Sequence, residues 1–266
     1  MNYTKEYPCN KLPVGWERTP VPSPAKYGSV GLIRTKRRDM PRSCNMKPRQ
    51  RKSPEHKVDS KCQINRTHDD FMKYGAEHPD SPVGEMDSVL GDVGGKVLLT
   101  MQFNNCGLML AFLRNTNHSQ SVIDVFNLLE KRLTLAVFRK LFPVILTDNG
   151  SEFSNPTALE SSLIAGAQRT RIFYCNPYSS WQKGHVENNH LNLRKVLPKG
   201  RSFEDLTQAD INLMLSHVNS MARKSLNDVP AITLFETIYG KKILAQLGIE
   251  LIPPNNVCLL PDLINK

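Results

Sequence analysis

Phe142-Pro143-Val144-Ile145-Leu146-Thr147-Asp148-Asn149-Gly150-Ser151-Glu152-Phe153 is a short apolar run that carries a carboxylate into a sharp turn. Val144 to Thr147, bounded by Pro143 and by Asn149-Gly150, read as a buried strand with an acid at its tip. The plainer reading of Asp148 is a turn residue bonding its own backbone. Other carboxylates must decide between a turn and half of a metal site.

Upstream, Gly84 to Leu90, Lys96 to Phe103 and Leu108 to Leu113 are strand candidates. They are joined by Asp92-Val93-Gly94-Gly95 and Asn104-Asn105-Cys106-Gly107, and such tight connections predict an antiparallel meander. A helical period follows from Ser119 to Leu141, with Val122, Val125, Phe126, Leu129, Leu133 and Val137 at three- and four-residue steps. Downstream, the pattern predicts a helix over Pro156 to Ala167, a strand over Thr170 to Cys175, and helices over Gly184 to Val196 and Thr207 to Arg223. A short capped helix, Asp69 to Glu77, precedes the first strand. Three strands, helix, strand, helix, strand, helix makes an α/β fold with a mixed five-stranded sheet flanked by helices.

Asp87, inside the first strand, is a costly place for a bare acid and needs a cation or a donor. Asp92 needs nothing beyond turn propensity. Glu187 lies early in the helix that begins near Gly184, where a solvated glutamate favoured by the dipole is the plainer reading. Taken together, two aspartates on adjacent parallel strands and a glutamate from a helix crossing them form an all-oxygen site suited to two Mg²⁺ ions. Such a pair activates a water or hydroxyl and stabilises the leaving oxygen in phosphoryl transfer. His185 and His190 are read as helix surface or core, since no spacing gives them a metal role.

Composition sets the bounds. Among 266 residues, 39% are hydrophobic and 23% charged, ordinary for a globular protein. No apolar run approaches a membrane span and the first residues lack a signal peptide's hydrophobic segment, so a cytoplasmic protein with no membrane partner is expected. The six cysteines are scattered singly, which argues for reduced thiols over a zinc or disulfide framework. Net charge is +10, yet residues 1–66 hold 16 Lys+Arg against 5 Asp+Glu, so the basic excess belongs to the first quarter. That quarter also has 8 of the 18 prolines and little apolar periodicity. It reads as an extended or disordered basic arm suited to phosphate backbones, or as a solvated linker.

Three segments resemble a known family: Gly84-Glu85-Met86-Asp87-Ser88, Leu146 to Phe153, and Tyr174-Cys175-Asn176-Pro177-Tyr178-Ser179-Ser180-Trp181-Gln182-Lys183-Gly184-His185-Val186-Glu187-Asn188-Asn189-His190. In order and content they are similar to the acidic motifs of the IS-thirty family of bacterial insertion-sequence transposases. The resemblance runs from about Arg49 to Gly240 and includes Leu197-Pro198-Lys199-Gly200. It implies a ribonuclease H-like, integrase-type core over 67–240, which leaves the basic arm over 1–66 before it and a tail over 241–266 after it. It also implies Asp87, Asp148 and Glu187 as a metal-binding catalytic triad, with 38 residues between the last two. The cofactor would be a pair of Mg²⁺ or Mn²⁺ ions. Trp181, Lys183, Arg194, Lys195 and Lys199 would line the DNA path, with Lys183 and Arg194 on phosphates and Trp181 on a base or in packing.

The implied activity is phosphodiester hydrolysis at element ends followed by strand transfer into target DNA, by at least a dimer. Two departures stand out: Ser180 occupies a position where many relatives have proline, and no helix-turn-helix pattern precedes Asp69. The second leaves open a truncated, catalytically silent DNA-binding remnant that interferes with an active transposase. A ribonuclease acting on RNA–DNA hybrids would share the fold and metals, but the basic arm and the wider motifs weigh against it.

Overall fold

The computed structural model describes residues 58–264, apart from 93 and 178. Most of the expected basic arm therefore lies outside the described residues.

The chain enters through helix α1 (His68–Glu77), where Thr67 and Asp70 form a reciprocal capping box. Strands β1 (Val83–Leu90), β2 (Val97–Phe103) and β3 (Met109–Arg114) are the expected antiparallel meander. Two helices, α2 (Ser119–Leu133) and α3 (Leu135–Leu141), lead to β4 (Val144–Thr147). Beyond it come α4 (Pro156–Glu160), β5 (Arg171–Tyr174), α5 (Gly184–Val196) and α6 (Gln208–Ser220). A two-stranded ribbon, β6 (Ala222–Arg223) with β7 (Val229–Pro230), and helices α7 (Ala231–Tyr239) and α8 (Lys241–Gln246) follow. The main sheet has the order β3-β2-β1-β4-β5, with β4 parallel to both β1 and β5. This is the expected mixed five-stranded sheet, and it puts β1 and β4 side by side.

Alternation along the strands separates two layers. Val144, Leu146 and Phe173 form a small cluster with Cys175 and the α1 residues Phe71 and Tyr74, while Ile145, Ile172 and Tyr174 face the main core. In that core Phe103 stacks on Phe142 with centroids 4.8 Å apart and meets Phe235 edge-on at 5.3 Å.

The folded unit is wider than 67–240. Val58 joins the main core, the Tyr174 amide donates to Arg66 O, and Leu244, Leu247, Ile249 and Ile264 are buried with the rest. The residues read as a tail therefore complete the core.

Two helices differ from expectation. The helix over 119–141 breaks at Thr134, whose φ of 71° and ψ of 156° lie in a region that disfavours side chains. Leu133 and Phe138, five residues apart, would point roughly 140° apart on one straight helix. The break lets both reach the core, where both are fully buried. Thr134→Gly should therefore raise stability by about 1 kcal/mol, read from urea midpoints; an unchanged or lower midpoint would contradict the strain.

The helix over 156–167 stops at Glu160 because Ser162 and the Leu163 amide bond the buried Glu130 carboxylate instead of continuing the ladder. Gly166, at φ 73°, then turns the chain so that Ser161 pairs with Gln168.

Candidate active site

Register builds the centre of the site. Met86 lies level with Thr147 across the parallel β1–β4 pair, so Asp87 and Asp148 come next to each other at the same height. The Asp148 Oδ1 accepts the Gly150 amide at 3.1 Å, the Asx turn anticipated for Asp-Asn-Gly. Its other oxygen remains directed at the neighbouring groups, so the turn aims the carboxylate. Gly150 leaves room for this loop, since a Cβ there would meet the Glu152 carboxylate at 2.6 Å.

Between the two aspartates sits an ammonium. Lys183, only 4% exposed, ends the 3₁₀ turn Ser180–Lys183 that delivers the chain into α5. Its Nζ is 3.5 Å from Asp87 Oδ1 and 3.7 Å from Asp148 Oδ2, and it donates to Met86 O at 3.1 Å. Burial works against charge on Lys183, but the two carboxylates outweigh it and raise its pKa. Burial also raises the Asp148 carboxyl; Lys183 opposes this shift and Asp87 adds to it. Nearly half of the Asp148 side chain (47%) still meets water, which tempers the effect.

Asp87 is held by its surroundings. Its Oδ1 accepts the Ser88 amide at 2.9 Å. Thr100, directly across the antiparallel pair, donates its hydroxyl to Asp87 O at 3.1 Å and so accepts from His190 Nε2 at 2.8 Å. Burial lowers the His190 pKa to about 4, with Lys183 and Arg194 adding to the effect, so the ring is neutral near pH 7. His190 is thus a buttress between α5 and the sheet.

Glu85, two residues before Asp87 on the same face of β1, was not singled out by sequence. It is 2% exposed, and its Oε2 accepts the Val186 amide at 2.8 Å. Its Oε1 lies 2.9 Å from both Asn104 Nδ2 and His185 Nδ1. A carboxylate bonded to the first turn of α5 satisfies an orphan amide and complements the helix dipole. Farther along, Asn189 bonds Gln102, the strand partner of Glu85. These contacts fix α5 across β1 and β2. The only sequence signal was the i, i+2 pairing of Glu85 with Asp87, which places two acids on one face. Glu85→Ala should cost about 2–3 kcal/mol by urea unfolding, because it orphans the buried Val186 amide and releases the first turn of α5; a loss below about 1 kcal/mol would deny it this anchoring role.

Glu187 stands one turn beyond Lys183 in α5, and its side chain lies outside the described residues. Among the described residues no group of three or more His, Cys, Asp or Glu is arranged to hold a metal. Of the side chains expected on a DNA path, Lys195 and Lys199 are exposed and Trp181 is 75% exposed. Arg194 is half-buried, donating to Leu90 O at 3.1 Å and Leu197 O at 3.4 Å. Lys183 departs from expectation: it points inward to the aspartates, because the 3₁₀ turn folds its stem beneath α5. No helix among the described residues is long and apolar enough to cross a membrane.

The chain is 28% identical over 107 residues to the transposase for insertion sequence element IS4351 of Bacteroides fragilis, spanning 40% of this chain and 31% of that protein. It is 30% identical over 79 residues to the transposase InsI for insertion sequence element IS30A of Escherichia coli (strain K12), spanning 30% and 19%. By sequence, the chain is similar to the IS30-family transposases. The transposase for IS1086 of Cupriavidus metallidurans is 32% identical over 80 residues, 30% of this chain and 22% of that protein. The matches thus span about a third or less of the length of these relatives. No protein-family model matches. Among solved structures, the catalytic core domain of BIV integrase superposes with a TM-score of 0.43 at 18% identity, covering 61% of this chain and 98% of that one.

Proposed function

We propose that this chain carries the metal-dependent centre of a DNA transposase, which hydrolyses a phosphodiester at element ends and then transfers the exposed 3′ hydroxyl into target DNA. The observation that carries this reading is the approach of Asp87 and Asp148, from neighbouring parallel strands, to one shared cation, the Lys183 ammonium. A carboxylate pair that accepts an ammonium at this point has the hard oxygen donors and local negative charge that suit Mg²⁺ or Mn²⁺. Asp87 and Asp148 would hold the metal, with Glu187 as third ligand. When bound, two such ions would supply a nucleophile activated at neutral pH and a positive charge for the leaving oxygen.

The protein's own groups do the positioning. The Asx turn at Gly150 keeps the Asp148 carboxylate from rotating away. Thr100 and His190 hold the backbone of Asp87, and Glu85 keeps the first turn of α5, which bears Glu187, against β1. Lys195, Lys199 and Trp181 are exposed in and beside α5, where a DNA strand crossing the acids would meet them; Arg194 would join by releasing its carbonyl partners. Their contribution would be phosphate binding, which falls steeply with salt. Joining two ends calls for at least two copies of the chain.

The test is a nicking and joining assay with purified protein, Mg²⁺ or Mn²⁺, and DNA bearing the ends of the parent element. Nicks with 3′ hydroxyls and joined products are expected. Salt-dependent DNA binding without metal-dependent cleavage would instead assign the chain as a silent DNA-binding remnant.

A further inference from the structure

The placement of Lys183 has a consequence for how metal enters. We infer that Lys183 is a tethered surrogate cation: its ammonium occupies the point between Asp87 and Asp148 that a divalent ion would take, so metal entry and Lys183 exit are one event. The inference rests on the proposed metal-dependent reading and adds to it the step that governs loading.

The distances favour exchange over a permanent ion pair. Charge-assisted N–H···O bonds are best at about 2.7–2.9 Å, and the ammonium stands 3.5 and 3.7 Å from the two carboxylates. Its shortest contact is to a neutral acceptor, Met86 O, at 3.1 Å. A Mg²⁺ ion binds carboxylate oxygen at about 2.0–2.1 Å with twice the charge, so its Coulomb attraction to each aspartate is roughly three and a half times that of the ammonium. That attraction works against the reluctance of Mg²⁺ to shed its water. Without the ion, two aspartates side by side would repel, and Lys183 relieves that repulsion.

Trp181, two residues earlier in the same 3₁₀ turn, is 75% exposed, so solvent reaches the turn at that point. A four-carbon stem swinging outward brings the ammonium beside the acids, where a phosphate could receive it. Lys183 would therefore be sequestered without metal and available to DNA with metal. An arginine, planar and bulkier, would not make the same exchange.

Two measurements test this without reading activity. The first is calorimetric titration of Mn²⁺ into the wild-type chain and Lys183→Gln. With no ammonium to displace, the variant is expected to bind the first ion on the order of tenfold more tightly. The second uses wild-type protein alone, so it does not depend on the variant folding: trace acetylation of lysines, read by mass spectrometry, with and without saturating Ca²⁺ or Mn²⁺. Lys183 should be protected without metal and rise towards the labelling of Lys195 and Lys199 with it. Metal binding with Lys183 still protected, or a folded Lys183→Gln that binds Mn²⁺ no more tightly, would overturn the exchange and leave the metal-dependent reading standing. Absence of metal binding by both proteins would overturn both.

Discussion

Asp148→Asn is expected to lower metal-dependent DNA nicking by at least on the order of 10²–10³-fold, about 3–4 kcal/mol of transition-state stabilisation, while the domain remains folded. The substitution separates the two roles of this residue. An asparagine Oδ1 still accepts the Gly150 amide, so the Asx turn survives. What disappears is the negative charge beside Asp87. Because the folded state raises the Asp148 pKa, chiefly through burial, ionised Asp148 is held at a cost relative to the unfolded chain. The sign follows: the stability linked to this group is fully present below its unfolded pKa and is lost as pH rises through its folded pKa. At neutral pH the asparagine variant should therefore be at least as stable as the parent. Nicking rates with Mg²⁺ and urea midpoints at pH 7 check both halves. Retained nicking in a folded variant would remove Asp148 from the chemistry; lost nicking in an unfolded one would indicate a structural role.

Arg169→Ala carries the largest expected effect on stability, a loss of about 3–5 kcal/mol. The guanidinium is fully buried, pairs with Glu130 at 3.2 Å, and donates to Asn127 Oδ1 at 2.8 Å, Leu159 O at 2.8 Å and Ala158 O at 3.0 Å. It also stands over the rings of Phe126 and Phe138, 5.3 and 5.8 Å from their centroids. Burial lowers its pKa, with Glu130 opposing the shift. Truncation would leave the Glu130 carboxylate buried with only Ser162 and the Leu163 amide as donors. The cost is mainly that of an uncompensated charge, so pairing the change with Glu130→Gln should recover part of it. Urea unfolding of the two single variants and the double variant measures this. A single-variant loss below about 1 kcal/mol would show that the network relaxes or admits water.

Several features legible in the sequence rest on local rules. The meander was readable from short apolar runs and turn residues, and β4 from the run that ends at Asp148. The start of α5 at Gly184 was readable too, because helical periodicity resumes there. The break at Thr134 was not, because it answers a demand from the core: Leu133 and Phe138 must both be buried. Nor was the short α4, whose continuation is lost to the Glu130 carboxylate from another helix. Cys175, just beyond β5, is buried, and that burial pushes its thiol up to about 12.

Within the candidate site the same division holds. Types and order of the acids were present in the sequence, since a carboxylate inside or at the tip of an apolar strand is conspicuous wherever the chain goes. The inward course of Lys183, the anchoring of α5 by Glu85, and the buttress from Thr100 to His190 were invisible, because each joins residues at least 90 positions apart. By itself the sequence determined the alternation of strands and helices, the confinement of basic excess to the first quarter, and which side chains could bind a cation. Only the tertiary structure decided which cation stands there: the parallel pairing of β1 with β4 brings Asp87 level with Asp148, and two like charges at that spacing draw in the nearest tethered positive charge, Lys183.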